Sequence, residues 1–467
     1  MIDFKNIKTL EDLKNANYAV LSINEEMRKN LIAKLRNKET FFPGIIGYDN
    51  SVIPQIENSI LSGHNMIFLG ERGQAKSRII RSLVNFLDPF VPVISGCEIN
   101  DNPFNPICKS CQEKIHKYGD KAEIAWLPRE SRYGEKLATP DVSIADLIGE
   151  VDPIKVAEGR YLSDELTIHF GLIPRTNRGI FAINELPDLA EKVQVGLFNI
   201  MEEGDVQIKG YKVQLPLDIC IVASANPDDY TSRGRIITPL KDRFSSQIRT
   251  HYTTDPKVEI SIMEQERSKF LSSPLKLNIP KFIKEIIAEI TMAARGSSDV
   301  NQKSGVSVRM SIANLENIIS NAEKRAILLN EEEIVPRMSD MHSLLPSTCG
   351  KIELEYLGED KKENEIIKKL IQKAIKKVFD QYFNSNQLHK VIESFKNGWV
   401  VEVSDQMPSG EYLEGLSKID GLKEGIKILD DTKSTASIAS AMEFIFEGLH
   451  LYNKLNKSEV NGKIVYR

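Results

Sequence analysis

The chain has 467 residues, of which 41% are hydrophobic, enough for globular cores in about three domains. Its net charge of −5 argues against broad, non-specific binding to nucleic acids. No apolar run approaches the roughly 18 residues of a membrane span, and the N-terminus lacks a secretory apolar stretch. The five cysteines, an odd number, fit a reducing compartment better than a disulfide scaffold, so we expect a cytoplasmic protein.

The first 40 residues have the pattern of polar helices. Alternating strand and helix patterns follow to about residue 255. The strand candidates are residues 66–69, 91–94, 179–183 and 219–223. Because helical patterns separate these strands, we expect an α/β fold with a parallel sheet flanked by helices.

The first strand candidate, Met66–Leu69, runs into a glycine loop and then Lys76 and Ser77 at the start of a helical pattern. The spacing fits the phosphate-binding loop Gly-x-x-x-x-Gly-Lys-Ser/Thr, except that Ala75 replaces the second glycine. Lys76 would neutralise the β- and γ-phosphates of ATP, and Ser77 would bind Mg²⁺. An ordinary strand–turn–helix is the alternative. The residues predicted to contact the nucleotide here are Gly70, Glu71, Arg72, Gly73, Gln74, Ala75, Lys76, Ser77 and Arg78.

A group of metal-ligand types follows: Cys97, Cys108, Cys111 and His116. The Cys-x-x-Cys spacing is typical of a metal knuckle, and three thiolates with one imidazole would complete a tetrahedral structural zinc site. The loop between them is too short for a core of its own, so a metal could organise it. Two other interpretations stay open: four unrelated reduced residues, and a redox pair of Cys108 with Cys111.

Two later apolar strands end in polar residues, one in Asn184 and Glu185 and the other in Asn226. In P-loop ATPases an Asp at the first of these positions holds Mg²⁺, and a following Glu orients and deprotonates the attacking water. Glu185 is therefore the predicted base. Asn184 can accept a hydrogen bond from a metal-bound water but brings no charge, which predicts weaker metal binding.

Between these strands, residues 205–215 alternate in polarity on both sides of Gly210, which predicts a β-hairpin. The motif Leu-Lys-Asp-Arg-Phe follows at residues 240–244. Helical patterns dominate from residue 256 to about 345. The helix candidates in the remaining chain are residues 281–294, 309–329 and 363–383, with a β-like piece at 399–403.

Together these motifs resemble those of the AAA+ ATPase subunit of magnesium chelatase (the I subunit) and its MoxR-type relatives. The resemblance covers roughly residues 40 to 330, and residues 144–172 resemble the helix-two insertion of that group. It implies a P-loop AAA+ core with a pre-sensor-1 hairpin and a helical lid. It also implies a homo-oligomeric ring, commonly a hexamer, with ATP at subunit interfaces and a partner protein carrying a von Willebrand A domain.

The same resemblance implies individual roles. Ile46, Gly47 and Tyr48 match the segment that flanks the adenine. Asn226 matches sensor 1, which contacts the γ-phosphate or the water. Two arginines also match: Arg243 the arginine finger, with Arg235 as a rival, and Arg309 sensor 2 on the lid.

We therefore predict an N-terminal helical segment (1–40), an α/β nucleotide-binding domain (41–255) with a Cys-rich insertion (97–116), a helical lid (256–345) and a C-terminal α/β region (346–467). The predicted function is an ATP-hydrolysing motor that remodels or activates a partner protein. A nucleotide-gated scaffold with little hydrolysis is one alternative, motivated by Asn184 and Ala75. A transcription or nucleic-acid motor is another, although the acidic balance weighs against it.

Overall fold

The computed structural model of the chain divides into two compact units, Met1–His251 and Tyr252–Arg467. It describes residues 6–467 except residues 153, 155–156, 158–164, 203–204, 208–213, 227–233, 270–274, 303, 355–359, 385–386, 430–433 and 461–462. The turn of the predicted hairpin, with Gly210, lies outside the described residues.

The first unit is an α/β structure. Its strands are β1 Met66–Leu69, β2 Phe90–Ile94, β3 Ile124–Pro128, β4 Tyr133–Leu137, β5 Gly149–Val151, β6 Ile168–Phe170, β7 Gly179–Asn184, β8 Asp205–Gln207, β9 Gln214–Pro216, β10 Ile219–Ala225 and β11 Ser246–Arg249. Its α-helices are Leu10–Asn15, Ile23–Asn37, Val52–Leu61, Lys76–Ser82, Lys109–Tyr118, Ile144–Leu147, Leu172–Arg175, Glu191–Gly196, Phe198–Glu202 and Thr238–Asp242. Short 3₁₀ turns cover Leu83–Phe86, Gly119–Lys121, Arg129–Arg132, Glu165–Thr167 and Leu186–Asp188.

Five of these strands form one parallel sheet in the order β11-β1-β10-β7-β4. The three central strands are apolar because both of their faces are covered. Alternate residues of β1 enter different cores: Phe68 packs in the core that contains Ile79, and Ile67 packs in the core that contains Phe181. The expected α/β architecture with a parallel sheet flanked by helices is confirmed.

Three of the four predicted strands, β1, β10 and β7, lie side by side in this sheet. The expectation that residues 91–94 join them is wrong, because β2 pairs antiparallel with β3 outside the sheet. An apolar run marks burial but not the direction or identity of a strand's partner. The pattern also misses the edge strands β4 and β11, where exposed or half-exposed polar residues such as Glu135 and Arg249 interrupt the apolar signal.

Two predicted insertions have antiparallel strand pairs at their described ends. The strands β8 and β9 pair on either side of the predicted hairpin turn. The strands β5 and β6 pair within residues 144–172.

The second unit is mostly helical. Its α-helices are Pro256–Glu266, Lys281–Arg295, Val308–Leu328, Leu345–Thr348, Asp360–Tyr382, His389–Lys396, Ser409–Lys418, Leu422–Ile428 and Thr435–Leu451, with a 3₁₀ helix at Met338–Leu344. Its strands are β12 Lys276–Leu277, β13 Glu333–Ile334, β14 Val401–Val403, β15 Lys457–Val460 and β16 Lys463–Tyr466. The first two pair in parallel, and β16 lies between β14 and β15 in an antiparallel sheet.

One hydrophobic core runs through the second unit and contains residues of both the predicted lid and the predicted C-terminal region. For example, the rings of Phe282 and Phe444 stack with centroids 4.5 Å apart. The division of the chain into four segments stays a prediction. Within the described parts of the chain, no helix combines the length and the apolar character that crossing a lipid bilayer requires.

Candidate functional site

The carboxyl ends of β1, β10 and β7 lie next to one another because these strands are parallel neighbours. The glycine loop follows β1, Asn226 follows β10, and Asn184 and Glu185 follow each other at the end of β7. Ligands of open parallel sheets bind at this edge, outside the strand ends. The topology therefore gathers the predicted phosphate-binding and catalytic residues at one place.

The glycine loop has two residues in the left-handed backbone region, Gly73 (φ 74°) and Ala75 (φ 57°). Ala75 is the N-cap of the helix Lys76–Ser82, and no side chain caps that helix. The position where the motif asks for glycine thus has the conformation that favours glycine, and Ala75 adopts it at a cost of about 1–2 kcal/mol. At the start of the loop, a Cβ added to Gly70 would collide with the side chains of Gln74 and Thr250.

A hydrogen-bond chain joins the three strand ends. Lys76 Nζ donates to Asn226 Oδ1 at 2.7 Å, and Asn226 Nδ2 donates to Glu185 Oε2 at 2.8 Å. Lys76 is only 7% exposed, and its ammonium also donates to the carbonyls of Gly70 and Glu71, the latter at 2.8 Å. This series of hydrogen bonds holds Glu185, the predicted base, in one orientation relative to the Lys76 ammonium.

Glu185 has a left-handed backbone (φ 56°), the second such non-glycine position at this edge. Ser224 of β10 supports the turn: its hydroxyl accepts from the Glu185 amide and donates to Asn184 Oδ1, both at 3.3 Å. Residues held in this backbone region cluster at functional sites, where the surrounding structure must hold them.

Asn184 is paired with a carboxylate that the sequence analysis did not single out. Its Nδ2 donates to Glu135 Oε1 of the edge strand β4. Glu135 also forms a two-point ion pair with Arg81 of the helix Lys76–Ser82, with both N–O distances 2.8 Å. Arg81 lowers the pKa of Glu135 below its usual value, so this carboxylate is ionised at neutral pH.

Of the three residues predicted to flank the adenine, Tyr48 contacts the glycine loop. Its buried hydroxyl donates to the carbonyl of Gln74 at 3.0 Å and to that of His251 at 2.9 Å. Its ring lies edge-on to the ring of His251, with centroids 5.1 Å apart. Gly47 has φ 87°, and Ile46 is half-buried beside it.

None of the predicted arginines takes part in this hydrogen-bond chain. Arg243 pairs with Glu202, donates to the carbonyl of Pro239 at 2.8 Å and lies over the Phe198 ring at 4.9 Å. Arg235 is exposed in the same unit. Arg309 is exposed in the first turn of Val308–Leu328, in the second unit.

The cysteine cluster also differs from the predicted set. Cys97, Cys108 and Cys111 come together, but the fourth donor of the group is Asp101, with ligand atoms all within 4.8 Å of one another. His116 is exposed on the helix Lys109–Tyr118. His116 lies five positions after Cys111, so the two side chains point about 140° apart around the helix axis. Hydrogen bonds from Cys108 and Cys111 lower the pKa of Cys97 to about 3.

Three contributors were not predicted: Glu135, Ser224 and Asp101. Ser224 had a usable signal, since it is the one hydroxyl in the apolar run of β10. Asp101 had one too, because a carboxylate four residues after Cys97 is a recognised zinc ligand type. Glu135 had none, because nothing in the pattern pairs β4 with β7.

No family model matches the chain. Among curated proteins, it is 28% identical over 257 residues to the magnesium-chelatase subunit ChlI of Nostoc sp. PCC 7120, across 54% of this chain and 63% of that protein. It is 27% identical over 246 residues to the chloroplastic subunit ChlI-2 of Arabidopsis thaliana, across 50% and 53%. It is 25% identical over 325 residues to ChlI of Bigelowiella natans, across 64% and 83%.

Among solved structures, a model of the complex between magnesium chelatase subunits BchI and BchD matches with a TM-score of 0.35 and 16% identity, across 70% of this chain and 98% of that chain. NtrX from Brucella abortus matches with a TM-score of 0.41 and 13% identity, across 83% and 72%. Because these TM-scores are low, the assignment of the fold is based on the strand order described above and not on these matches.

The chain spans less than two thirds of the length of relatives such as the Nostoc protein. These three relatives are nevertheless all magnesium-chelatase subunits of the ChlI type. The sequence comparisons therefore confirm that this chain resembles the AAA+ magnesium chelatase I-like family.

Proposed function

We propose that this chain is an ATP-binding and ATP-hydrolysing AAA+ motor of the magnesium chelatase I/MoxR type. The observation that carries the proposal is the hydrogen-bond chain from Lys76 through Asn226 to Glu185, which spans the ends of three parallel strands. A buried ammonium, an amide and a carboxylate from separate strands are the groups that phosphoryl transfer to water needs.

The residues present fit ATP with Mg²⁺. Three of the Lys76 hydrogen bonds go to neutral oxygens of Gly70, Glu71 and Asn226. Phosphate oxygens can take these places, because a charged acceptor binds an ammonium more strongly than an amide oxygen does. The uncapped start of the helix Lys76–Ser82 and the Ser77 hydroxyl add an anion-binding backbone and an oxygen ligand.

When bound, ATP with Mg²⁺ supplies the phosphoanhydride that is cleaved and a divalent charge that offsets its oxygens. Glu185 would accept the proton of the attacking water, and Asn226 would keep the Glu185 carboxylate oriented through its Nδ2. Ser77 and Asn184 would hold the metal or its water. Glu135, hydrogen-bonded to Asn184, would supply the negative charge that Asn184 lacks.

The test is Glu185→Gln, which keeps the size of the side chain and its contact to Asn226 but removes the base. We expect turnover to fall by roughly 10²–10⁴-fold, with ATP affinity nearly unchanged. Steady-state ATPase assays and equilibrium binding of a fluorescent ATP analogue measure the two quantities. Glu191→Gln, the same change at an exposed position six residues later, is the control. Unchanged turnover in Glu185→Gln would refute the assigned base.

The proposal extends to a ring, commonly a hexamer, in which Arg243 serves as the finger for a neighbour's ATP and Arg309 as sensor 2. Since Arg243 is paired with Glu202 within the chain, it would have to exchange that partner at an interface. Mixing Glu185→Gln with Arg243→Ala chains tests this. Each variant should be inactive alone, but when equal amounts are mixed, about a quarter of all interfaces would combine an intact base with an intact finger. Absence of any recovered turnover would argue against a finger acting between subunits.

The motor would act on another protein, and a protein with a von Willebrand A domain is the partner that the family resemblance suggests. The Glu185→Gln form, held with ATP, should retain that partner. Affinity purification with ATP against purification with ADP, followed by mass spectrometry, would identify it. A role as the motor subunit of a chelatase-like complex is one form of this proposal.

A nucleotide-gated scaffold is the second candidate, and Asn184 favours it because the metal loses one charged ligand. A scaffold would bind ATP and change partner affinity with negligible turnover. Wild-type turnover that disappears in Glu185→Gln would exclude it.

A further inference from the structure

The loop between β2 and the helix Lys109–Tyr118 folds around four buried or half-buried donors. The Sγ atoms of Cys97, Cys108 and Cys111 and a carboxylate oxygen of Asp101 all lie within 4.8 Å of one another. Cys108 is the N-cap of the helix, and Cys111 lies in its first turn, so the helix start and the loop share the group. Asp101 and Cys111 are fully buried.

The carboxylate of Asp101 has a feature that indicates a ligand, namely one buried oxygen without a hydrogen-bond partner among the described residues. Its Oδ2 accepts from the backbone amides of Ile107 (3.2 Å) and Cys108 (3.0 Å). Its Oδ1 is buried and has no hydrogen-bond partner among the described residues. A buried carboxylate oxygen without a partner is costly, and native structures rarely leave one unless a water or an ion completes it.

We propose that Cys97, Asp101, Cys108 and Cys111 bind one Zn²⁺ or a similarly thiophilic divalent cation in tetrahedral coordination. Ligands about 2.0–2.3 Å from zinc lie roughly 3.3–3.8 Å apart, so no pair of the four atoms needs to close by more than about 1–1.5 Å. The three thiols bind as thiolates, and their protons pass to solvent. The amide of Asp101 donates to Cys97 Sγ at 3.3 Å, a contact that offsets part of the thiolate charge.

A cavity lies beside the group. It has a volume of about 310 Å³ and is lined by Cys97 and Cys108 and by residues of β6 such as Ile168 and Phe170. The metal would tie the loop 95–107, which has no regular secondary structure, to the start of the helix. The site is thus structural, and it does not depend on the proposed nucleotide chemistry.

The experiment compares metal content and stability in the full-length chain purified from zinc-supplemented cells under reducing conditions. We expect about one zinc per chain by elemental analysis and a lower Tm after chelation. Asp101→Asn, which keeps the shape of the side chain, should weaken zinc affinity at least about tenfold in competition with a chromophoric chelator. His116→Ala and Cys349→Ser, which change donors outside the group, should leave the zinc content and the zinc affinity unchanged.

Co²⁺ replacement gives a second readout that needs no variant. Wild-type protein should show thiolate-to-cobalt charge-transfer absorption with tetrahedral bands, even if an altered chain fails to fold. Three results would overturn the site: no stoichiometric zinc and no Co²⁺ spectrum, loss of zinc in His116→Ala but not in Asp101→Asn, or a Cys108–Cys111 disulfide in fully stable protein.

Discussion

Two groups of buried polar side chains, one in each unit, are arranged in different ways. In the first, Lys76, Asn226 and Glu185 come from three strand ends that are far apart in sequence, and two neighbouring backbones are left-handed. In the second, the side chains of Arg325 and Asp340 are both at most 3% exposed, and the two residues lie only 15 positions apart in the sequence. The first group lies at the carboxyl edge of a sheet beside the glycine loop, whereas the second is an ion pair buried within its unit. Of these two groups, the one that converges from several elements on an uncapped loop is the candidate site.

The buried pair of the second unit should give the largest loss of stability. Asp340 accepts from Arg325 Nη1 at 2.6 Å, from Asn321 Nδ2 at 2.8 Å and from the Arg337 amide at 2.7 Å. Asp340→Ala would leave the Arg325 guanidinium buried without its counter-charge. We expect the free energy of unfolding of this unit to fall by about 3–5 kcal/mol.

Urea denaturation followed by tryptophan fluorescence would measure that loss. Each unit contains one tryptophan, Trp126 in the first and Trp399 in the second, so Trp126→Phe isolates the signal of the second unit. The control is Glu264→Ala, which breaks the more exposed ion pair with Lys284 and should cost about 1 kcal/mol or less. Equal losses in the two variants would mean that the buried pair stabilises this unit no more than the exposed pair does.

Changes at Glu135 and Asn184, in the candidate site of the first unit, should alter the binding of Mg²⁺ with ATP. Glu135→Gln removes the carboxylate beside Asn184, and we expect Mg²⁺-dependent ATP affinity to fall by the worth of a charged hydrogen bond, about 1.5–3 kcal/mol. Asn184→Asp alone would place two carboxylates in contact and lose the Nδ2 donor. The double variant reverses the pair, with an amide at position 135 donating to a carboxylate at position 184.

A double-mutant cycle therefore tests whether Glu135 supplies the missing charge. We expect the double variant to recover most of the affinity lost by the single changes, a coupling of about 1–3 kcal/mol. Titration of a fluorescent ATP analogue at several Mg²⁺ concentrations measures it, and titration without Mg²⁺ is the control. Additive effects would mean that Glu135 acts only through Arg81 and the packing of β4.

The sequence predicted the parts of this edge that depend on chain-local signals. The glycine loop, Asn226 and Glu185 each follow an apolar strand, and parallel strands place such ends together. Glu135 escaped prediction because β4 is an edge strand without an apolar run, 49 residues before Asn184. The prediction names His116 and not Asp101, because three cysteines and a histidine are a common zinc set. The turn of the helix directs His116 away from Cys111.

A smaller effect should appear as a pH dependence of the second unit. Burial raises the pKa of Glu443 above its usual value, while Tyr412 (2.5 Å) and the Ser339 amide (2.7 Å) donate to it. Because the folded state binds the extra proton, this group favours folding most below its unfolded pKa of about 4.3. Its contribution is lost as pH rises through the folded pKa, with a slope of at most about 1.4 kcal/mol per pH unit.

Glu443→Gln should remove that slope, so the stability difference between variant and wild type should shift in favour of the variant as pH rises above about 4.3. Lost hydrogen bonds add a constant offset but no pH dependence, which separates the two effects. Urea denaturation at a series of pH values measures them. Glu424→Gln, an exposed change in the same unit, should show no such trend, and parallel curves for Glu443→Gln and wild type would contradict the assignment.

The smallest expected effect concerns the strained loop of the first unit. Ala75→Gly relieves a left-handed backbone cost of about 1–2 kcal/mol but adds about 0.4–1 kcal/mol of unfolded-state entropy. The net gain should be about 0.5–1 kcal/mol. Ala190 is also an N-cap alanine, at φ −54°, so Ala190→Gly has no strain to relieve, while the N-cap preference for Gly over Ala applies to both positions. A larger gain in thermal stability for Ala75→Gly than for Ala190→Gly would show that strain is localised in the phosphate-binding loop, whereas equal changes would mean that Ala75 fits its backbone without cost.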